Sequence, residues 1–476
     1  MLDKEVKRKV IHVGLFIITF CTTTIAGAEW MTTKSLFYGD VTISWDELIL
    51  GMQFSFSFLL ILTCHEFGHY FMAQYHKVKV TLPYYIPLWF GFLPGAPSIG
   101  TMGAFISIKQ VIESRKKYFD IGIAGPLAGF VIGFFVLAYG FSNLPEPEKI
   151  FEIHPDYEVF GLDYADHVYT YDYQVSRHKE AYLGFQSADS LSYLEENGSI
   201  EFWSYPEFQP FESYESMILG KTLLFSWMES WFVSDPNKMP NPHESMHNPF
   251  LLAGFLSLFF TALNLLPIGQ LDGGHILYGL VGMKYHSIIS RVLFTGFVFY
   301  AGLGIINPYQ LSDYMMWEGV YLIFLYYAFY RFSKNPQERL MYAVIVFATQ
   351  FCFSYVFPFI EGYSGWLLFA FFLGRVAGVD HPPVLIDNPL DQNRIILGWI
   401  SFAIFILSFS PQPLVMKEYY KSENKSDTPT FRSAVNPSPY FDLIDKPNSL
   451  ARASSTSINS GEEIKVLADS PAGSKN

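Results

Sequence analysis

Cysteine is almost missing from this chain: there are three among 476 residues, Cys21, Cys64 and Cys352, each in an apolar run and none at a paired spacing. A disulfide framework is thereby excluded. Charge is scarce too, at 16% of residues, and positive charge scarcer, with 31 Lys and Arg against 44 Asp and Glu. The imbalance is local. Residues 143–249 hold 19 acidic and 5 basic side chains, a balance of −14 (5 − 19) against −13 for the whole chain, so the remainder is close to neutral. No basic surface is left over, and nucleic acid is not expected as a partner.

What the chain has in quantity is apolar sequence. Half its residues are hydrophobic and its mean hydropathy is positive. This reads as an α-helical polytopic membrane protein with about eight to nine transmembrane helices, from apolar runs at 11–28, 48–75, 119–141, 250–266, 289–306, 314–332, 340–359, 366–376 and 395–409. The 366–376 run is short against the ~20 residues a span needs. The first run follows a basic start, MLDKEVKRKV, and ends Ala26-Gly27-Ala28, which imitates a signal-peptidase site. We read it as an uncleaved helix with its basic end inside.

Residues 63–70 read TCHEFGHY. On a helix, His65 and His69 project from one face and can share a metal, while Glu66 is placed to take a proton from a metal-bound water. The bland alternative is a pair of histidines satisfied by neighbouring helices. Context separates the two. The apolar run before the motif carries it to membrane depth, where two His and a Glu are costly and functional by default. Cys64, beside them, reads as a small buried hydrophobe. A catalytic zinc site needs a third protein ligand and an open position. The stretch NLLPIGQLDGGH at 264–275 brings a carboxylate to the same depth among helix breakers, so Asp272 is the first candidate and His275 the second. Asn264 stays open between donating to an oxyanion and capping a broken helix.

Between these motifs, LPYYIPLWFGFLPGAPSIG cannot be one helix, because Pro83, Pro87, Pro94 and Pro97 interrupt it. We expect a re-entrant loop there and an edge strand at 102–108, to which an extended substrate can add; a plain cytoplasmic hairpin fits the sequence equally well. Gly122, Gly125 and Gly129 in the third run read as close helix packing. The domain reading is a first helix and loop at 1–47, a catalytic core at 48–142 and 250–285 forming three helices, and an acidic extramembrane α/β insert at 143–249. Further helices at 286–415 and a disordered polar tail at 416–476 complete it. Within the insert, short strands are expected around 157–160 and 168–173, and an amphipathic interfacial segment at 217–232.

HEFGH at 65–69, the glycine-bearing third run and NLLPIGQLDGGH at 264–275 together resemble the site-2 protease family of intramembrane metalloproteases. The likeness spans about 48–141 and 246–280. AGFLSLFFTALNLLPIGQLDGGH and His381-Pro382-Pro383 are similar to the bacterial and plastid branch without a PDZ domain. The resemblance implies Zn2+ held by His65, His69 and Asp272, water activated by Glu66, and Asn264 holding the substrate carbonyl or its oxyanion. It also implies single-span membrane proteins as substrates, shortened beforehand by another protease, and a multi-pass place in a membrane, with the bacterial inner membrane expected. The acidic insert stands where some members carry a PDZ domain, and we read it as a substrate filter. The rival of another class is a catalytically silent metal-binding scaffold or transporter. Glu66 argues against it, since holding a metal does not require that carboxylate.

Overall fold

The computed structural model describes residues 4–37, 42–93, 98–197, 199, 204–309 and 311–421. Two long apolar helices come first, α1 (Lys4–Thr32) and α2 (Trp45–Tyr75). A capping box starts α2: Ser44 accepts the Glu47 amide, and the Glu47 carboxylate returns to the Ser44 amide at 2.7 Å. An antiparallel hairpin follows, β1 (Tyr84–Pro87) on β2 (Thr101–Phe105), pairing Tyr84 with Phe105 and Pro87 with Thr101. The stretch expected as a re-entrant loop is therefore partly a strand, and the expected edge strand is the second arm of the hairpin; residues 94–97 lie outside the described residues. Helix α1 satisfies this irregular backbone. His12 Nδ1 donates to the Pro83 carbonyl at 2.9 Å, Thr22 to Gly100 at 2.7 Å and Trp30 Nε1 to Ser98 at 2.8 Å. Such partners are what non-helical backbone at membrane depth requires.

Helix α3 (Arg115–Ser142) packs along α2. The insert after it contains α4 (Ile150–Ile153), α5 (Tyr164–Val168), α6 (Tyr171–Asn197), β3 (Ser213–Leu219) and α7 (Leu223–Phe232). The strands expected at 157–160 and 168–173 are helical turns instead. The buried residues there, Tyr157, Tyr164 and Val168, stand seven and four apart, which is a helical spacing. The rings of Tyr157 and Tyr164 stack 5.1 Å apart. The amphipathic segment is shorter than expected, because 217–219 belong to β3; Trp227 and Trp231 on α7 are exposed.

The remainder is α8 (Pro249–Leu265), α9 (Asp272–Gly302), α10 (Leu311–Ala328), α11 (Pro336–Val356), α12 (Trp366–Phe372), α13 (Gln392–Ser408) and β4 (Leu414–Tyr420). The run expected at 289–306 lies in the part of α9 beyond a kink at Gly282, whose φ +77° and ψ 174° are not helical, so it is a helix distinct from the one that starts at Asp272. Strand β4 pairs antiparallel with β3 over its whole length, Ser213 with Tyr420 through Leu219 with Leu414. The start of the expected disordered tail is thus ordered: among the described residues β4 is the strand that pairs with the backbone groups of β3. Residues 422–476 of that tail lie outside the described residues.

Among the described residues, four helices have the length and apolarity of a membrane span: Glu5–Thr32, Trp45–Tyr75, Arg115–Ser142 and Pro336–Val356. With the shorter apolar helices beside them, the chain is a polytopic helical membrane protein. One apolar core gathers α9 to α13, and a second gathers α1, α2, α3, α7 and α8. A half-buried ion pair joins the termini of two elements far apart in sequence. Arg394 on α13 grips Asp120 on α3 with two bonds of 2.6 and 2.8 Å, and His76 reaches the same carboxylate at 2.8 Å.

Candidate metal centre

Helix α2 carries His65, Glu66 and His69 on one buried stretch near its C-terminal end. Asp272 arrives from α9, whose first residue it is, so its carboxylate lies at the positive end of that helix. The approach depends on a tight turn out of α8: a Cβ at Gly273 would overlap the Leu265 carbonyl oxygen, so only glycine fits there. His65 Nε2 and His69 Nε2 are 3.1 Å apart, and Asp272 Oδ2 stands 3.5 and 3.2 Å from them. Donors about 2.05 Å from a tetrahedral zinc are separated by ~3.3 Å, so this triangle has the size of one face of such a site.

The second ring nitrogen of His69 is occupied. Its Nδ1–H donates to the Ile121 carbonyl of α3 at 2.7 Å, which fixes the tautomer that turns a bare Nε2 towards Asp272. The glycines of α3 make this contact possible. A Cβ at Gly125 would overlap His69 Nε2, and one at Gly129 would come within 3.0 Å of His65 Cβ. Their spacing was legible as packing, but not as packing against these two imidazoles.

Glu66 is buried, and Ile106 just past β2 lines the same cavity. Glu66 and the donor triangle line a cavity of about 390 Å³, walled mainly by apolar groups of α2, β2, α3 and α8. Asn264 also lines it, in the last turn of α8, two residues before the C-cap Leu266. His275, one turn beyond Asp272, is turned elsewhere: its Nδ1 meets His381 Nε2 at 2.9 Å. It stands outside the His65–His69–Asp272 group. Gln270 and Tyr118 line the cavity as well, and no spacing in the sequence pointed to either.

Comparison with known proteins adds to this geometry. Residues 53–306 match the profile of Peptidase family M50. The chain is 23% identical over 313 residues to "Probable zinc metalloprotease EGY2, chloroplastic" of Oryza sativa subsp. indica, covering 63% of this chain and 42% of that protein. It is 26% identical over 242 residues to "Probable zinc metalloprotease EGY1, chloroplastic" of Oryza sativa subsp. japonica, 49% of this chain and 28% of the relative. A 104-residue stretch is 31% identical to the EGY2 protein of Arabidopsis thaliana, 21% of this chain and 17% of that one. The chain thus spans less than half the length of these curated relatives. No solved structure matches it at a significant level.

Proposed function

The chain belongs to peptidase family M50, and on that premise we propose that it is a zinc endopeptidase cutting peptide bonds within the membrane-spanning segments of partner proteins. His65, His69 and Asp272 hold the zinc, leaving one position open. Bound there, zinc supplies the Lewis acidity that lowers the pKa of water towards ~7 and polarises the scissile carbonyl. Glu66 accepts the proton of the attacking water and delivers it to the leaving amine, so the acyl carbon gains a hydroxyl as its bond to nitrogen breaks. Asn264 donates to the carbonyl oxygen as charge develops on it. The substrate lies extended along β2, where main-chain bonds orient it whatever its side chains.

The observation that carries this reading is a buried carboxylate, Glu66, sharing an apolar cavity with three donors of tetrahedral spacing. A silent metal scaffold has no use for a fourth ionisable group at membrane depth, where each costs free energy. Strand addition offers a lipid nothing, so a peptide is the favoured substrate class. The substrates are single-span proteins trimmed beforehand by another protease, and the acidic insert excludes those with bulky outer domains. The membrane is of bacterial or plastid type; the sequence reading pointed to a bacterial inner membrane, and the named relatives are chloroplastic.

The test compares wild type with Glu66→Gln in detergent, measuring bound zinc and cleavage of single-span membrane peptides. Zinc in both with cleavage by wild type alone is the expected result. Equal cleavage by both would refute the assigned base. Removing 146–242 to test the filter would also delete β3 and leave β4 unpaired. A filter deletion therefore has to remove 414–420 as well.

A further inference from the structure

Among the described residues, one other group of side chains has the composition of a metal site, and it lies in the insert. His154 follows α4. Glu244 and His247 flank a single helical turn two residues before α8 begins. The donor atoms of the three all lie within 4.8 Å of one another. His247 Nε2 is 2.9 Å and His154 Nε2 3.5 Å from the same oxygen, Glu244 Oε2. His154 and Glu244 are buried and His247 is half-buried, with the Glu244 side chain the most deeply placed at 3% exposure.

The hydrogen bonds around this group leave it unfinished. His247 Nδ1 stands 2.7 Å from the Trp30 carbonyl, which can only accept, so Nδ1 carries the proton. In the neutral ring Nε2 is then a bare lone pair pointing at a carboxylate oxygen, acceptor against acceptor. Only a cation between them, or a second proton on the ring, makes the contact favourable. The same wiring occurs at His69, where Nδ1 donates to the Ile121 carbonyl and Nε2 faces Asp272 Oδ2. The other oxygen of Glu244 is already engaged by the Tyr169 hydroxyl. Tyr169 stacks on His243 at 3.9 Å, and His243 is held by Ser216 at 2.6 Å. Glu244 is thus oriented by a partner of its own, with Oε2 left free for the histidines.

We propose that His154, Glu244 and His247 form a second divalent-metal site, separate from the proposed catalytic one. Two imidazoles and one carboxylate suit Zn2+ above Mg2+ or Ca2+, which prefer oxygen donors. The site's place gives its role. His154 lies near the start of the insert, Glu244 and His247 at its end, and His247 is tied to the last turns of α1 through Trp30. One ion therefore closes the insert on itself and fastens it to α1 and α8. Helix α8, 17 residues and ~25 Å long, has this site beside its first residue and the turn towards Asp272 after its last. The ion is an anchor for the insert and takes no part in peptide hydrolysis.

The test uses the full chain in detergent, with zinc counted by mass spectrometry in four proteins: wild type, His65→Ala/His69→Ala, and each of these with Glu244→Gln. The expected counts per chain are two, one, one and none. The His65→Ala/His69→Ala protein leaves the insert untouched, so a folded sample holding no zinc would overturn the proposal without ambiguity. Zinc unchanged by Glu244→Gln would overturn the ligand assignment. One zinc in wild type, retained in His65→Ala/His69→Ala, would support the insert site and contradict the proposed catalytic one, so the two readings fail separately. As a second readout, Co2+ loaded into His65→Ala/His69→Ala should give visible d–d absorption that Glu244→Gln and His154→Ala each remove. Absorption that persists in both would also refute the assignment.

Discussion

One methyl group added at Gly125 of α3 lands on His69 Nε2. The clash can be relieved in two ways. Helix α3 can withdraw from α2, but the two are in backbone contact nearby, where a Cβ at Gly68 would overlap the Ala124 carbonyl. Opening that interface costs ~1–3 kcal/mol, as overpacking does elsewhere. Alternatively the His69 ring rotates, which breaks its 2.7 Å bond to Ile121 and moves Nε2 away from Asp272. Losing such an orienting partner lowers metal affinity ~10–100-fold, or ~1.4–2.8 kcal/mol. We expect rotation to dominate, because it disturbs one side chain rather than a whole helix interface. Gly125→Ala should then bind zinc ~10–100-fold more weakly in a chelator competition, and lose cleavage at limiting zinc. Excess zinc should restore part of the activity. The control is Gly140→Ala at the far end of the same helix, where a Cβ meets Phe250 Cβ at 3.0 Å and Leu251 Cδ2 at 3.2 Å. It should lower stability by a similar ~1–3 kcal/mol and leave zinc affinity alone. Wild-type zinc affinity in Gly125→Ala, or an equal loss in Gly140→Ala, would refute the reasoning.

Three further predictions follow from the contacts above. Asp272→Ala should abolish stoichiometric zinc at the cavity while His275→Ala keeps it, by metal counting in a Glu244→Gln background; the reverse pattern would make His275 the third ligand. Arg394→Met should lower stability by ~2–3 kcal/mol, less than the ~3–5 kcal/mol of a fully buried pair because Arg394 keeps 23% exposure. Thermal unfolding in detergent measures it, and an unchanged midpoint would mean that His76 alone satisfies Asp120. Ending the chain after Pro413 should expose β3 and make the insert the first site of limited proteolysis, with zinc at the cavity unaffected; a cleavage pattern like wild type would show that β3 does not depend on β4.

Much was readable before any fold was known, and the reason is range. The four-residue step from His65 to His69, the breakers around Asp272 and the apolar runs are local patterns, set by helix period and bilayer thickness, so the sequence by itself determined a helical membrane protein with a metal-binding motif. It also placed a carboxylate and a histidine, Asp272 and His275, at the right depth, and ranked Asp272 first on ligand type and depth alone. In the fold their surroundings differ: His275 meets His381, while Asp272 at the start of α9 faces the α2 histidines. The insert shows the other limit. Aromatic alternation at 168–173 looked like strands, yet α5 ends at Val168 and Tyr171 to Asn197 form a helix, the weak local preference yielding to tertiary context. The pairing of β3 with β4, and the meeting of His154 with Glu244 and His247, join segments whose separation in sequence carries no periodic signal. Only the closed fold brings such groups within ångströms of one another, and that decision belonged to the tertiary structure.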